Sequence, residues 1–167
     1  LKSDMAKILP SVTDCNKHAR ETFWAEGFNN SISSCRWLKD VSFSPSGWAA
    51  GYQFLYLLYR VLLDMRPQSI LDIGFGQTSK MVAKYAAAHP SVKHVIVEES
   101  SSWIEFFSRN NDLPKNTEII HLDYEMAAFT GCSAPVRTYR GFKDALAGRK
   151  FDLILIDAPF SGDMREI

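Results

Sequence analysis

Four short apolar segments, separated by helical patterns, constrain the fold of this chain more than any other feature. These candidate strands cover residues 69–73, 94–98, 118–122 and 151–157. Segments typical of helices lie between them, at residues 78–88, 102–109 and 139–147. Alternating strands and helices predict a parallel sheet with helices on both faces. We therefore expect an α/β fold with a Rossmann-like, doubly wound and mostly parallel sheet.

Two of these strands and one further helix are predicted to be deeply buried. The runs Ile70-Leu71 and residues 153–156 are apolar without alternation, as in strands covered on both faces. A helix is predicted over residues 49–65, with apolar side chains on all sides, so we expect it to be largely buried. In the helix at 102–109, Ser102 and Glu105 have the spacing of a capping box.

The N-terminal part of the chain is less regular. A short helix is predicted over residues 19–25, and residues 42–47 form a loop rich in Ser, Pro and Gly. We divide the chain into an N-terminal extension or cap at residues 1–45 and a Rossmann-like domain at residues 46–167.

Charge and cysteine content exclude several classes of function. Nineteen basic residues balance nineteen acidic ones, so the chain lacks the electrostatic footprint of a nucleic-acid binder. Three cysteines without C-x-x-C spacing argue against a metal site and favour free buried thiols, with a Cys15–Cys35 bridge as the alternative. The most apolar stretch, residues 54–65, is too short to cross a bilayer. We expect a cytoplasmic protein without membrane association and leave the oligomeric state open.

The most informative segment is a glycine turn that follows the first strand, at residues 69–79. Gly74 and Gly76 allow backbone conformations closed to other residues and permit a ligand to approach the main chain. The helix that opens near Thr78 presents free N–H groups. Dinucleotide sites have a third glycine where this chain has Ser79.

Asp72 distinguishes this turn from a dinucleotide site. A carboxylate two residues before Gly74 repels a pyrophosphate but attracts a cation, such as the ammonium group of a methionine moiety. The pattern D-x-G-x-G after a first strand resembles the first motif of class I S-adenosylmethionine-dependent methyltransferases. A strand–turn–helix connection without any ligand is the alternative.

Further acids follow the later strands, at the edge where open parallel sheets bind ligands. Glu98 lies 22 residues past Gly76, near the spacing of an acid that binds ribose hydroxyls, with Glu99 as the rival. The resemblance implies that Asp123 accepts a hydrogen bond from the adenine amino group and that Asp157 faces the transferred methyl group; a turn-capping role is the alternative for Asp123. Asp152, at the other end of the last strand, is predicted to be structural.

The motifs occur in the order of that family and cover about residues 69–160. The resemblance implies S-adenosyl-L-methionine as the cofactor. We expect no metal ion in the site. The implied cofactor-binding residues are Asp72, Gly74, Phe75, Gly76, Gln77, Thr78, Glu98 and Asp123. It also implies a cap over the cofactor, for which Trp48 and Tyr52 are candidates unless they are core aromatics.

The acceptor is less constrained than the cofactor. Residues 157–160, Asp-Ala-Pro-Phe, resemble the D-P-P-[YF] motif of amino-methylating enzymes. They also resemble the D-A-P-C-S-G motif of RNA cytosine-C5 enzymes, but Phe160 replaces the nucleophilic cysteine that this chemistry needs. Three motifs, at residues 71–80, 97–99 and 156–160, are together similar to those of methyltransferase-like proteins of bacterial polysaccharide gene clusters. This resemblance implies a glycan or small-molecule acceptor.

We therefore expect a methyltransferase that acts on oxygen or nitrogen, with Asp157 as general base. His121 is a weaker candidate base, and a strand histidine is more often part of the core. The alternatives are a non-catalytic cofactor-binding or scaffold domain of a larger protein and, less favoured, an aminopropyltransferase. A complete class I fold has more strands than these four, so we expect the C-terminal strands to be missing from this sequence.

Overall fold

The computed structural model describes the backbone of residues 2–39, 41–44, 49–128, 130–131 and 133–157, and side chains from residue 15 onward except at residue 17. The helices are α1 (Lys2–Ile32), α2 (Tyr52–Met65), α3 (Gln77–Ala88), α4 (Ser101–Asn110) and α5 (Phe142–Ala145), with a short 3-10 helix at Arg36–Leu38. The strands are β1 (Ser69–Ile73), β2 (Lys93–Glu98), β3 (Thr117–His121), β4 (Tyr124–Ala127), β5 (Val136–Tyr139) and β6 (Leu153–Ile156).

Four of the strands form one parallel sheet, in the order β3-β2-β1-β6. The register sets Asp72 of β1 between Ile96 of β2 and Leu155 of β6. The chain adds β2 and β3 on one side of β1 and then returns to place β6 on the other side. This reversal creates a topological switch point between β1 and β6, as in Rossmann-like folds. The α/β class and the parallel sheet are therefore confirmed.

The two faces of the sheet bury different clusters. Ile70 and Leu155 pack with α2 and α3 on one face. Leu71 and Val97 lie on the other face, where Phe142 of α5 packs against them. Helices thus lie on both sides, although α5 is a single turn.

The N-terminal region differs most from its prediction. The short helix expected over residues 19–25 is part of the much longer α1. Its C-terminal part is anchored by Phe28, which is fully buried against Phe43 and Tyr52 at ring-centroid distances of 5.4 and 5.9 Å. The short-range pattern missed this helix because its contacts are made with residues far along the chain.

The expectation that α2 is buried on all sides was wrong. Leu55, Leu58 and Leu62 are buried, but Leu57 is 57% exposed and Met65 is 65% exposed. Among the described residues, α1 and α3 pack on one side of α2, so the other side keeps its apolar side chains at the surface.

The helix predicted at residues 139–147 is shorter, because a strand precedes it. Tyr139 ends β5 and pairs with Tyr124 of β4 in an antiparallel hairpin. The two rings lie 4.8 Å apart, a cross-strand aromatic contact that stabilises the hairpin. After it, Gly141 adopts a positive φ of 71° and α5 begins.

Two local predictions are also corrected. The N-cap of α4 is Ser100 and not Ser102, since the Ser100 hydroxyl accepts a hydrogen bond from the Trp103 N–H at 3.2 Å. The prediction that Cys15 and Cys35 are free thiols is confirmed, but their predicted burial is wrong, since Cys15 is exposed and Cys35 is half-buried. Within the part of the chain that is described, no helix combines the length and apolarity needed to cross a bilayer.

Candidate functional site

The candidate site lies at the carboxyl ends of β1 and β6, at the topological switch point. The Asp157 N–H donates to the carbonyl oxygen of Ile73 at 2.9 Å, which holds the end of β6 beside the end of β1. The Gly74 N–H donates to Val97 O at 2.9 Å and ties the turn to β2. Open α/β sheets bind ligands at this position.

Ser79 organises the glycine turn. Its hydroxyl donates to Gly74 O at 3.1 Å and accepts from the Gly76 N–H at 3.0 Å. Gly74 has a φ of 102°, which an L side chain would strain. The sequence signal for Ser79 was its position at the third glycine of the dinucleotide pattern, but its bonding role was not predicted.

Phe75 is held through its backbone. Its N–H donates to Glu98 Oε2 at 2.8 Å, and its carbonyl accepts from the indole N–H of Trp103. Its ring is buried against Phe107, with centroids 4.5 Å apart. Both backbone polar groups of Phe75 are therefore engaged within the protein. The bond from Trp103 was not predicted.

Glu98, predicted to bind ribose, is 3% exposed and accepts three backbone N–H groups. Besides Phe75, it accepts the N–H groups of Glu99 and Ser100, both at 3.0 Å to Oε1. The carboxylate thereby links the glycine turn to the start of α4. Glu99 is half-buried and follows β2 directly. The ribose role of Glu98 stays a prediction.

Asp72 is fully buried, and neither carboxylate oxygen has a hydrogen-bond partner among the described residues. The imidazole of His94 lies nearest, with Nε2 3.7 Å from Oδ2, which is too long for a hydrogen bond. His94 Nε2 is likewise without a partner, while Nδ1 lies 3.3 Å from the Thr117 hydroxyl. A buried carboxylate without donors is unfavourable, so this site is suited to a cationic or hydrogen-bond-donating ligand.

Asp157 is a half-buried carboxylate at the same edge. Burial raises its pKa, and the negative charge of Asp72 raises it further, while a hydrogen bond from Thr78 acts in the opposite direction. That bond joins Thr78 Oγ1 to Asp157 Oδ2 at 3.3 Å. The structure thus brings the first and last predicted motifs together.

The first turn of α3 also contacts the N-terminal region. Gln77 Oε1 accepts from the Ser44 N–H at 3.3 Å, and Lys80 Nζ donates to Ser42 O at 2.7 Å. Of the two candidate cap aromatics, Tyr52 packs in the core beside Phe28, and Trp48 lies outside the described residues.

Asp123 lies beyond β3, with a 66% exposed side chain. Its carboxylate is 4.0 Å from Arg140 Nη1 and 3.9 Å from His121 Nε2. His121 is exposed and its Nε2 lies 2.7 Å from Glu99 O, so its prediction as a core histidine was wrong. Because the Leu122 N–H bonds to Glu98 O, this segment does reach the edge that carries the other acids.

The opposite edge of the sheet has a different character. Asp152 Oδ2 accepts the N–H groups of Gln68 and Ser69 at 2.8 and 3.0 Å, which confirms its structural role. A cleft of about 700 Å³ also opens there, away from the glycine turn. The glycine turn and the unpartnered carboxylate of Asp72 lie toward the other, carboxyl edge. Residues 45–48 and 158–160, including the predicted Ala-Pro-Phe motif, lie outside the described residues.

Comparison of the chain with models of protein families, with curated proteins and with solved structures gave no match. The residues of the site offer backbone N–H groups at the start of α3, a glycine turn open to close approach, and two carboxylates that attract positive charge.

Proposed function

We propose that this chain binds S-adenosyl-L-methionine at the carboxyl end of β1 and transfers its methyl group to oxygen or nitrogen of a small-molecule or glycan acceptor. The observation that supports this most is the Asp72 carboxylate, which is buried without a hydrogen-bond donor beside the acidic Asp157.

Charge selects between the two kinds of nucleoside ligand that such a turn can accept. A dinucleotide would bring a pyrophosphate to a site that already holds two carboxylates, and like charges repel strongly when partly buried. S-adenosyl-L-methionine brings an ammonium group and a sulfonium, both positive. Its amino-acid portion would relieve the unpaired Asp72, directly or through a water molecule.

The other predicted site residues would each contact a different part of the cofactor. Gly74, Gly76 and the first turn of α3 present the backbone to the ligand, and Gln77 and Thr78 lie at that turn. Glu98 or Glu99 would accept the ribose hydroxyls. Asp123, at the same edge, would accept a hydrogen bond from the adenine amino group.

Asp157 would act on the acceptor as a general base. When bound, the cofactor supplies an electrophilic methyl group, and the protein's contribution is mainly to align it with the acceptor. A hydroxyl acceptor must lose a proton, and a carboxylate with a raised pKa is a better base for it than an ordinary one. The Thr78 hydroxyl orients this carboxylate through its hydrogen bond.

A non-catalytic cofactor-binding or scaffold domain is the second candidate, and one observation favours it. Glu98 already accepts three backbone N–H groups, so its capacity for ribose is reduced. A fold that uses this acid to hold its own turn can persist without any cofactor.

Calorimetric titration of the chain with S-adenosylmethionine, S-adenosylhomocysteine and NAD tests the cofactor. We expect the first two to bind, Asp72→Asn to weaken the binding of both, and NAD not to displace bound S-adenosylhomocysteine. Failure of both S-adenosyl compounds to bind, or displacement of S-adenosylhomocysteine by NAD, would overturn the proposal. Transfer of label from methyl-labelled cofactor to cell-extract acceptors then separates enzyme from scaffold: tight binding without labelled product supports the scaffold.

A further inference from the structure

The cleft at the amino-terminal edge of the sheet is not used by the proposed methyl transfer. It lies among the segments that lead into β2, β3 and β6, with a volume of about 700 Å³. That volume falls within the range of small-molecule sites. Its lining includes Lys93, Lys115, Lys150, Arg149 and Glu118, together with the half-buried Phe151.

The charges in the cleft do not cancel. Glu118 is already paired with Arg149 through two bonds, at 2.6 and 3.0 Å. Among the described residues, no carboxylate lies within ion-pair distance of Lys93, Lys115 or Lys150. The whole chain is neutral, so three uncompensated ammonium groups around one concave surface are a local excess.

The sheet sets the spacing of these lysines. Lys115 precedes β3, Lys93 begins β2, and Lys150 precedes β6. In the order β3-β2-β1-β6, the outer two strands are three spacings apart, or about 14 Å at about 4.8 Å per spacing. Lys115 and Lys93 lie on neighbouring strands and can share one phosphate, whereas Lys150, two spacings from Lys93, would reach a second phosphate linked to the first.

We propose that this cleft is a binding site for a small molecule that carries a diphosphate group. The flexible ammonium groups of Lys93, Lys115 and Lys150 would contact the phosphates. The non-phosphate portion would pack on Phe151. Because these cations surround a concave cleft instead of following an extended stripe, the geometry suits a small ligand more than a nucleic-acid backbone.

Calorimetric titration of the full chain with inorganic pyrophosphate, ADP and inorganic phosphate tests the site. We expect saturable binding of pyrophosphate and ADP that weakens with added salt, and at least roughly tenfold weaker binding of phosphate. Each of Lys93→Gln, Lys115→Gln and Lys150→Gln should weaken pyrophosphate binding roughly two- to fivefold, the effect of one exposed ion pair. The exposed Lys39, outside the cleft, gives the matched control Lys39→Gln, which should leave binding unchanged.

Glu118→Gln provides a test of opposite sign. This variant removes a negative charge from the cleft and releases the Arg149 guanidinium, so pyrophosphate should bind several-fold more tightly. Asp157→Asn, at the opposite edge of the sheet, should have no effect, which separates this site from the proposed cofactor site. The proposal is overturned if neither pyrophosphate nor ADP binds saturably, if Lys39→Gln weakens binding as much as the cleft variants, or if a single-stranded oligonucleotide displaces pyrophosphate at lower concentration than ADP does.

Discussion

The carboxylate of Asp72 lies 3.7 Å from the imidazole Nε2 of His94, and both side chains are excluded from solvent. Neither of these facing groups has a hydrogen-bond partner among the described residues. The pair occupies the middle of the sheet, one step below the glycine turn. Burying these polar groups without hydrogen-bond partners costs free energy, and a ligand that supplies a partner would reduce that cost.

Replacing Asp72 by Asn should therefore stabilise the ligand-free protein while weakening cofactor binding. Removal of the buried charge should raise the melting temperature by about 2–4 °C, corresponding to about 1 kcal/mol for a domain of this size. The further rise produced by S-adenosylhomocysteine should be lost. Thermal unfolding with and without ligand measures both effects.

Asp152→Ala is the control for this change. Asp152 accepts two backbone N–H groups, so its loss should lower the free energy of unfolding by about 1 kcal/mol without altering the ligand-induced shift. If Asp72→Asn destabilises the protein as Asp152→Ala does, the Asp72 carboxylate makes a stabilising contact in the ligand-free protein, and the predicted relief by a ligand is wrong.

Glu98→Ala should destabilise the protein by about 1–3 kcal/mol, because three backbone N–H groups lose their acceptor. Cofactor binding should weaken as well, since the glycine turn is no longer held. Glu99→Ala should leave stability nearly unchanged. If Glu99 contacts the ribose, Glu99→Ala should weaken cofactor binding without changing stability. Urea unfolding and calorimetry on both variants measure these two effects separately.

Ser79→Ala should weaken cofactor binding through the shape of the turn. The hydroxyl bridges Gly74 and Gly76, and its loss leaves a buried donor and acceptor unpaired, at about 1–3 kcal/mol in stability. Ser101→Ala, at an exposed position in the first turn of α4, is the matched control. Equal unfolding midpoints for the two variants would argue against the bridge.

Asp157→Asn should lower turnover roughly 10²–10⁴-fold if Asp157 is the general base, with cofactor affinity nearly constant. Activity of the unmodified protein should rise with pH through the raised pKa of Asp157. The negative charge of Asp72 is one cause of the raised pKa of Asp157, and Asp72→Asn removes it. The residual activity of this variant should therefore rise with pH over a lower pH range than that of the unmodified protein. An unchanged profile in Asp72→Asn would show that the titrating group lies elsewhere.

The same raised pKa makes a prediction for stability. A carboxyl group whose pKa is higher in the folded state contributes stability below its ordinary pKa, and this contribution disappears as pH rises through the raised value. Asp157→Asn does not titrate. Its stability relative to the unmodified protein should therefore increase from acidic to neutral pH, as measured by chemical denaturation across that range.

The local elements of the sheet could be predicted because their signals lie within short segments. Strand β1 has the predicted bounds, and β2, β3 and β6 differ by only one or two residues at their ends. Buried strands require apolar runs, and the turn after β1 requires glycine at a positive φ. Helix α1 and the β4–β5 hairpin lacked such signals, because packing against distant residues stabilises them.

The amino-acid sequence by itself determined the α/β class, the glycine turn after β1 and the acids that end neighbouring strands. Only the tertiary structure decided what those acids contact. Glu98 accepts a hydrogen bond from Phe75, and Asp72 lies beside His94. The members of each pair are more than twenty residues apart in the sequence, and the β1–β2 register and the turn geometry bring them into contact. Strand propensity depends on neighbouring residues, whereas hydrogen bonding and desolvation of a carboxylate depend on which distant groups the fold places beside it.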